Sequence, residues 1–173
     1  MRLSILFFLA FAPFSSPLAG QYNVILNGKS YHIDSRYNWN DDNVGAGIEY
    51  DFNPGNSWKK TIMANGFRDS NDAMSYMAGA GLHRKLLGTQ TFSNLAIYAG
   101  LNAFVMTRKD VNDGRPFPGL LPSLIIGNEF AALNLTYLPR KAIESTTHSQ
   151  IVDPTISGIV FMQLKIQLDV LLP

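Results

Sequence analysis

The last alternating run of the sequence constrains the fold most. From Val160 to Val170, apolar residues (Val160, Met162, Leu164, Ile166, Leu168, Val170) alternate with polar ones (Gln163, Lys165, Gln167, Asp169). A period of two belongs to a β-strand with unlike faces, because successive side chains of a strand point to opposite sides. A soluble sheet can carry such a run. At this length it also suits a tilted membrane strand of about 9–11 residues.

Similar alternation, cut by turn residues, recurs along the chain and predicts eight strands: Tyr22–His32, Val44–Phe52, Trp58–Arg68, Ser75–Leu87, Phe92–Met106, Gly119–Ile126, Phe130–Leu138 and Ile156–Val170. Their connections alternate in length. Ile33–Asn43, Thr107–Pro118 and Pro139–Thr155 are long, and Asp69–Met74 is only a little longer than a turn. Asn53–Ser57, Gly88–Thr91 and Gly127–Glu129 are short. An even strand count, with long loops at one end and short turns at the other, predicts an all-β fold: an eight-stranded antiparallel up-and-down transmembrane β-barrel. A soluble barrel of the lipocalin kind is the competing reading.

The N-terminus supports export. Met1-Arg2 precedes a nearly unbroken apolar run, Leu3 to Phe14, and then the small and polar stretch Ser15 to Gly20. This is the layout of a secretory signal over 1–20, with cleavage after Ala19 or Gly20 and the barrel over 21–173. The run is too short for a spanning helix, which needs about 20 apolar residues; a buried N-terminal helix is the bland alternative. The chain has no cysteine, so neither a disulfide framework nor a thiolate metal site is available. A net charge of +1 gives no electrostatic preference for nucleic acid. His83 and His148 lack partners at metal-ligand spacing, and no metal or cofactor is expected.

The fifth strand assigns the two sides of the wall. Leu95, Ile97, Ala99, Leu101, Ala103 and Val105 suit lipid, which turns Ala96, Tyr98, Gly100, Asn102, Phe104 and Met106 inward. The fourth strand offers Met77, Gly79, Gly81 and His83 on one face. Small and flexible apolar residues there suggest a slot for a hydrocarbon chain. A well-packed apolar core explains the same pattern.

At one end of this barrel the first and third strands finish in Tyr31-His32 and Arg68-Asp69-Ser70. Histidine is the usual base for activating a hydroxyl, and a carboxylate can orient its ring. Adjacent strand residues face opposite ways, however, so Asp69 and Ser70 cannot both aim at His32 unless the backbone has turned. A turn capped by Asp69-Ser70 beside a surface histidine is the competing reading.

Four stretches together resemble the lipid A palmitoyltransferase family, PagP. They are Phe67-Arg68-Asp69-Ser70, then Ala78-Gly79-Ala80-Gly81, then Pro116 to Pro122 leading to Thr136-Tyr137-Leu138-Pro139, and upstream Tyr31-His32. The resemblance covers most of the chain after the signal. It implies an outer-membrane enzyme that moves a palmitoyl group from the sn-1 position of a phospholipid to a hydroxyacyl chain of lipid A. The partners it implies are a phospholipid donor, a lipid A acceptor and the outer membrane, with the barrel a monomer and its active site facing outward. By resemblance His32, Asp69 and Ser70 match the catalytic residues. Gly81 matches the floor of an acyl pocket whose further lining would include Gly79, Met77, Tyr98 and Phe104. Pro116, Pro118 and Pro122 match a gap in the wall for lateral lipid access. The basic loop residues Arg108, Lys109, Arg115, Arg140 and Lys141 suit lipid A phosphates, or are ordinary solvated charge.

This chain departs from the family in lacking an amphipathic helix before the first strand. It also lacks the prolines of a second wall gap around Asn23–Ser30 and Asn43–Gly47, and its first loop is shorter. Leu168 stands where barrel-assembly signals usually carry a terminal aromatic. Other readings are a lipid A deacylase, a non-enzymatic small outer-membrane barrel with a filled interior, and a soluble lipid-binding barrel.

Overall fold

A computed structural model describes residues 20–89, 94–146 and 153–171. The predicted signal segment, His148 and the start predicted for the fifth strand at Phe92 lie outside these residues. Eight strands follow in order: β1 (Gln21–Ile33), β2 (Asp42–Asp51), β3 (Trp58–Arg68), β4 (Met74–Gly88), β5 (Ala96–Thr107), β6 (Phe117–Gly127), β7 (Ala131–Pro139) and β8 (Gly158–Gln167). Each pairs antiparallel with the next, and β8 pairs back onto β1, closing the barrel. Closure is what satisfies the backbone polar groups of a sheet that has no edge to leave open.

The ends of the elements follow from their partners. β8 stops at Gln167, opposite Asn23 of β1, because β1 begins only two residues earlier. The predicted continuation to Val170 instead turns into the short helix α2 (Leu168–Leu171). β5 begins at Ala96, opposite Gly88, the last residue of β4. The loop after β7 carries a second short helix, α1 (Arg140–Thr146), which the alternation did not reveal. Among the described residues no helix is long and apolar enough to cross a membrane, which says nothing about strands.

The outward face is apolar. Leu26, Ile48, Ile62, Leu82, Leu101, Val105, Leu120 and Leu164 are all exposed on it. Aromatic residues flank this band: Tyr22, Phe52, Trp58 and Phe130 toward the short turns, and Tyr31, Tyr76 and Tyr137 toward the long loops. A soluble barrel does not present a continuous apolar belt with aromatic girdles, whereas a barrel in hydrocarbon needs one.

The interior differs from an apolar slot running the whole length. Below mid-height it is polar. Asn134 Nδ2 donates to Gln163 Oε1 at 2.7 Å, and Gln163 Nε2 donates to Asn27 Oδ1 at 2.7 Å. On the opposite wall His83 Nε2 lies 2.6 Å from Ser123 Oγ, which also accepts from Asn102 Nδ2 at 3.0 Å. Nearer the short turns, Lys165 Nζ bonds Glu49 Oε2 at 2.5 Å, and Lys59 pairs with Asp51. Strands of an eight-stranded barrel stand close enough for inward side chains to meet across the lumen, so polar side chains there can satisfy one another.

Glu49 and Lys165 are both buried, and removing one charge strands the other. Lys165→Met is therefore expected to cost about 3–5 kcal/mol, read as a lower urea midpoint in phospholipid vesicles. Combining it with Glu49→Gln should restore most of the loss.

Candidate active site

Toward the long loops the interior opens into a cavity of about 540 Å³. Met63, Phe67, Met77, Phe104, Met106, Leu121 and Phe161 give it apolar walls, and Asn102 and Gln163 of the polar belt lie at its deep end. That volume lies within the roughly 300–1,000 Å³ of small-molecule sites. His32, Ser70, Asp69 and Arg108 line its mouth.

The wall beside this cavity is incomplete. β6 pairs with β5 over Phe117–Met106 through Gly127–Ala96, but with β7 only from Ser123 to Gly127. Phe117 to Pro122 thus have no β7 partner, while Tyr137–Pro139 pair only with β8. Pro118 and Pro122 have no N–H to offer a ladder. Outward-facing Pro118 and Leu120 line the cavity together with inward-facing Gly119 and Leu121, as expected where the wall is open. Pro116 precedes β6 and lies in the loop, its carbonyl accepting from Asn112 Nδ2.

His32, near the end of β1, points into the rim. Its Nε2 lies 3.0 Å from Ser70 Oγ and its Nδ1 lies 2.8 Å from Asp41 Oδ1. Trp39 stacks on the ring, with centroids 5.5 Å apart and planes at 20°. Ser70 sits past the end of β3, where the backbone has already turned. Asp69 directly follows the last residue of that strand, Arg68, and its carboxylate is taken up by the turn. Its Oδ1 accepts from the backbone N–H groups of Asn71 (2.9 Å) and Ala73 (3.1 Å), and its Oδ2 accepts from Ser75 Oγ (2.8 Å). Arg108 Nε stands 3.5 Å from Oδ2 and is also held by Asp110. The turn thus separates Asp69 and Ser70: the acid ties the turn, and the hydroxyl faces the imidazole.

The first loop is fastened to this turn by Asn40. Its N–H donates to Ser70 O at 3.2 Å, and its Nδ2 reaches Asp69 O and Asp72 Oδ1. The residues on either side of it, Trp39 and Asp41, are the described residues of this loop that touch His32. The far end of the loop is fastened to the last one: Trp39 Nε1 donates to Ser35 Oγ at 2.8 Å, and Ser35 Oγ donates to Asp153 Oδ2 at 2.5 Å. Burial works against the Asp153 charge. Hydrogen bonds from Ser35, from Thr155 Oγ1 and N–H, and from Arg36 N–H outweigh it and hold the carboxyl well below the usual carboxylate range.

Of the residues matched to an acyl pocket, Met77 and Phe104 line the cavity. Phe104 lies across Gly119, and Gly79 lets β4 approach it, since a Cβ there would meet Ala103 O at 2.4 Å. Tyr98 lies at the other end, between Lys59 and Lys85. Gly81 is packed into the polar belt: a Cβ would meet Asn102 Oδ1 at 2.6 Å, with His83 and Thr61 at 2.7 Å. Sequence reasoning missed Trp39, Asp41, Ser35 and Asp153. Only the register of the β1–β2 hairpin brings in the first two. Lys29 pairs with Asp42, so a continuing ladder brings residues near 39–41 beside His32.

The folded-state value of Asp153 lies below its unfolded value of about 3.9. Its contribution to the rim is therefore complete above that value and is lost as the pH falls through the folded one. Trp39 fluorescence, in a Trp58→Phe background, should report a closed loop from about pH 5 upward and opening only in strong acid. Asp153→Ala should open it at neutral pH.

A family model described as "Antimicrobial peptide resistance and lipid A acylation protein PagP" matches residues 19–148. No curated protein matches the chain.

Proposed function

The chain belongs to the PagP family of lipid A acylation proteins, and from that premise we propose that it transfers a palmitoyl chain from the sn-1 position of a phospholipid to a hydroxyacyl chain of lipid A. It does so as a monomeric outer-membrane barrel, exported by the segment 1–20, with its long loops outside. One observation carries this reading: the His32–Ser70 pair stands at the mouth of an apolar cavity that opens sideways through the wall between β6 and β7.

A donor chain passes the unpaired segment around Pro118 and Pro122 and fills the cavity, which leaves its ester at the rim. His32 Nε2 takes the proton of the attacking hydroxyl as that oxygen bonds to the ester carbonyl carbon. The tetrahedral adduct collapses with cleavage of the bond to the glycerol oxygen, which recovers the proton from His32. The products are the acyl ester and a lysophospholipid. The attacking hydroxyl is either the acceptor's own, in one step, or that of Ser70, whose ester the acceptor then cleaves. Lys109, Arg115 and Lys141 have no acidic partner among the described residues, and in this reading they meet the lipid A phosphates. Arg108 and Arg140 are already held by carboxylates.

Expression in a Gram-negative host lacking its own palmitoyltransferase should add a lipid A species heavier by one palmitoyl group. His32→Ala should lower it by about 10²-fold or more, and Ser70→Ala should do the same where Ser70 supplies the attacking hydroxyl. A lighter lipid A would identify a deacylase, and an unchanged one with folded barrel would overturn the reading. A serine-reactive probe that labels Ser70 supports the two-step route, and an unlabelled Ser70 in active protein excludes it.

Chain length is set where Asn102 and Gln163 end the cavity. Met77→Trp should shift the transferred chain to shorter lengths, read in the same spectra. Gly81→Met should instead reduce the yield of folded barrel, because its side chain has no cavity to enter.

A further inference from the structure

We infer that Asp41 is the acid that orients His32 for proton transfer, acting as a positioning residue, and that Asp69 is committed to holding the turn that presents Ser70. An ionised carboxylate only accepts hydrogen bonds. With Asp41 Oδ1 at 2.8 Å, the proton of the neutral imidazole therefore resides on Nδ1. Nε2 then carries the lone pair, and it faces Ser70 Oγ at 3.0 Å, so the hydroxyl donates to it. This is the tautomer a base at this place requires.

Asp69 cannot do the same work. Its oxygens are taken by Asn71 N, Ala73 N and Ser75 Oγ, with Arg108 Nε beside Oδ2, it is almost wholly buried, and among the described residues it has no hydrogen bond to the imidazole. Stability does not account for the Asp41 contact either. Its side chain is 51% exposed, and exposed ion pairs contribute little to folding. The His32 side chain, by contrast, is 5% exposed and lies under Trp39. Its only polar partners among the described residues are Asp41 and Ser70. The fastening of Asn40 to Ser70 O keeps acid, imidazole and hydroxyl in line.

The inference rests on the proposed acyl transfer for its kinetic arm only. The test uses the full chain, folded in detergent micelles with ¹⁵N-labelled histidine. Long-range ¹H–¹⁵N correlation spectra should show His32 protonated on Nδ1. In Asp41→Asn the amide can donate to Nδ1, so the Nε2–H form should appear. kcat should fall about 10²–10⁴-fold, as when an orienting aspartate is replaced in a serine triad, with KM little changed. Asp41→Glu should recover part of the turnover. Asp69→Asn should lower thermal stability and leave the His32 tautomer as it was.

Wild-type tautomer and turnover in Asp41→Asn would overturn the inference, as would a folded Asp69→Asn in which the tautomer switches. If the wild-type protein transfers no acyl chain, the proposed function fails, and the tautomer spectra still decide the role of Asp41.

Discussion

The polar belt across the lumen is the interaction on which the rest of the barrel depends. Asn27, Gln163 and Asn134 bond to one another on one side, and Asn102, Ser123 and His83 on the other. An eight-stranded barrel is too narrow to hold both a full-length cavity and a braced interior. This one divides its length. The half nearer the short turns carries paired polar and charged groups, Glu49 with Lys165 and Asp51 with Lys59, around a smaller polar cavity of about 440 Å³. The other half holds the apolar cavity that leads to the rim. The belt is therefore both the brace of the fold and the end of the cavity.

The rim is built on the same economy of parts. Asn40 joins the first loop to the turn after β3, and of its two neighbours one bonds the Nδ1 edge of His32 and the other stacks on its ring face. Asp153 holds the other end of the loop through Ser35. The barrel gives each strand end a fixed place, and these few hydrogen bonds turn that precision into the placement of one imidazole. Positioning of this kind matters in acyl transfer because the base must be within hydrogen-bond reach of the attacking hydroxyl.

Much of this was legible in the sequence. The period of two separated the walls correctly: Gln163 and Lys165 are inside, as are Tyr98, Asn102 and Met106, while Leu101 and Val105 face out. His32 and Ser70 could be brought to one rim from loop lengths alone. The pleat argument allowed Asp69 and Ser70 to aim at His32 together only where the backbone had turned; it has turned there, and Ser70 is the one that meets the imidazole. What alternation could not give was the chemistry of the lumen. Gly81 reads as open space from its lack of a side chain, yet the neighbours that fill that space come from β3 and β5. Asp41 was hidden for a similar reason. Its place beside His32 depends on the bulge in β1 between Asn27 and Lys29 and on the path of the loop, neither of which leaves a periodic signature.

The proposed chemistry sets a demand that the two halves of the site meet together. Moving an acyl group between hydroxyls leaves one ester for one ester, so the reaction supplies little driving force of its own. Water at high concentration is a rival acceptor that would turn the enzyme into a deacylase. A transferase must therefore admit a lipid hydroxyl and exclude solvent at the same carbon. The arrangement here suits that division. The apolar cavity below keeps the donor chain dry. Trp39 covers the imidazole from the loop side, and the unpaired stretch of β6 opens toward hydrocarbon instead of toward water. In the proposed reaction the donor chain comes in through the wall from the membrane side, where the competing nucleophile is scarce.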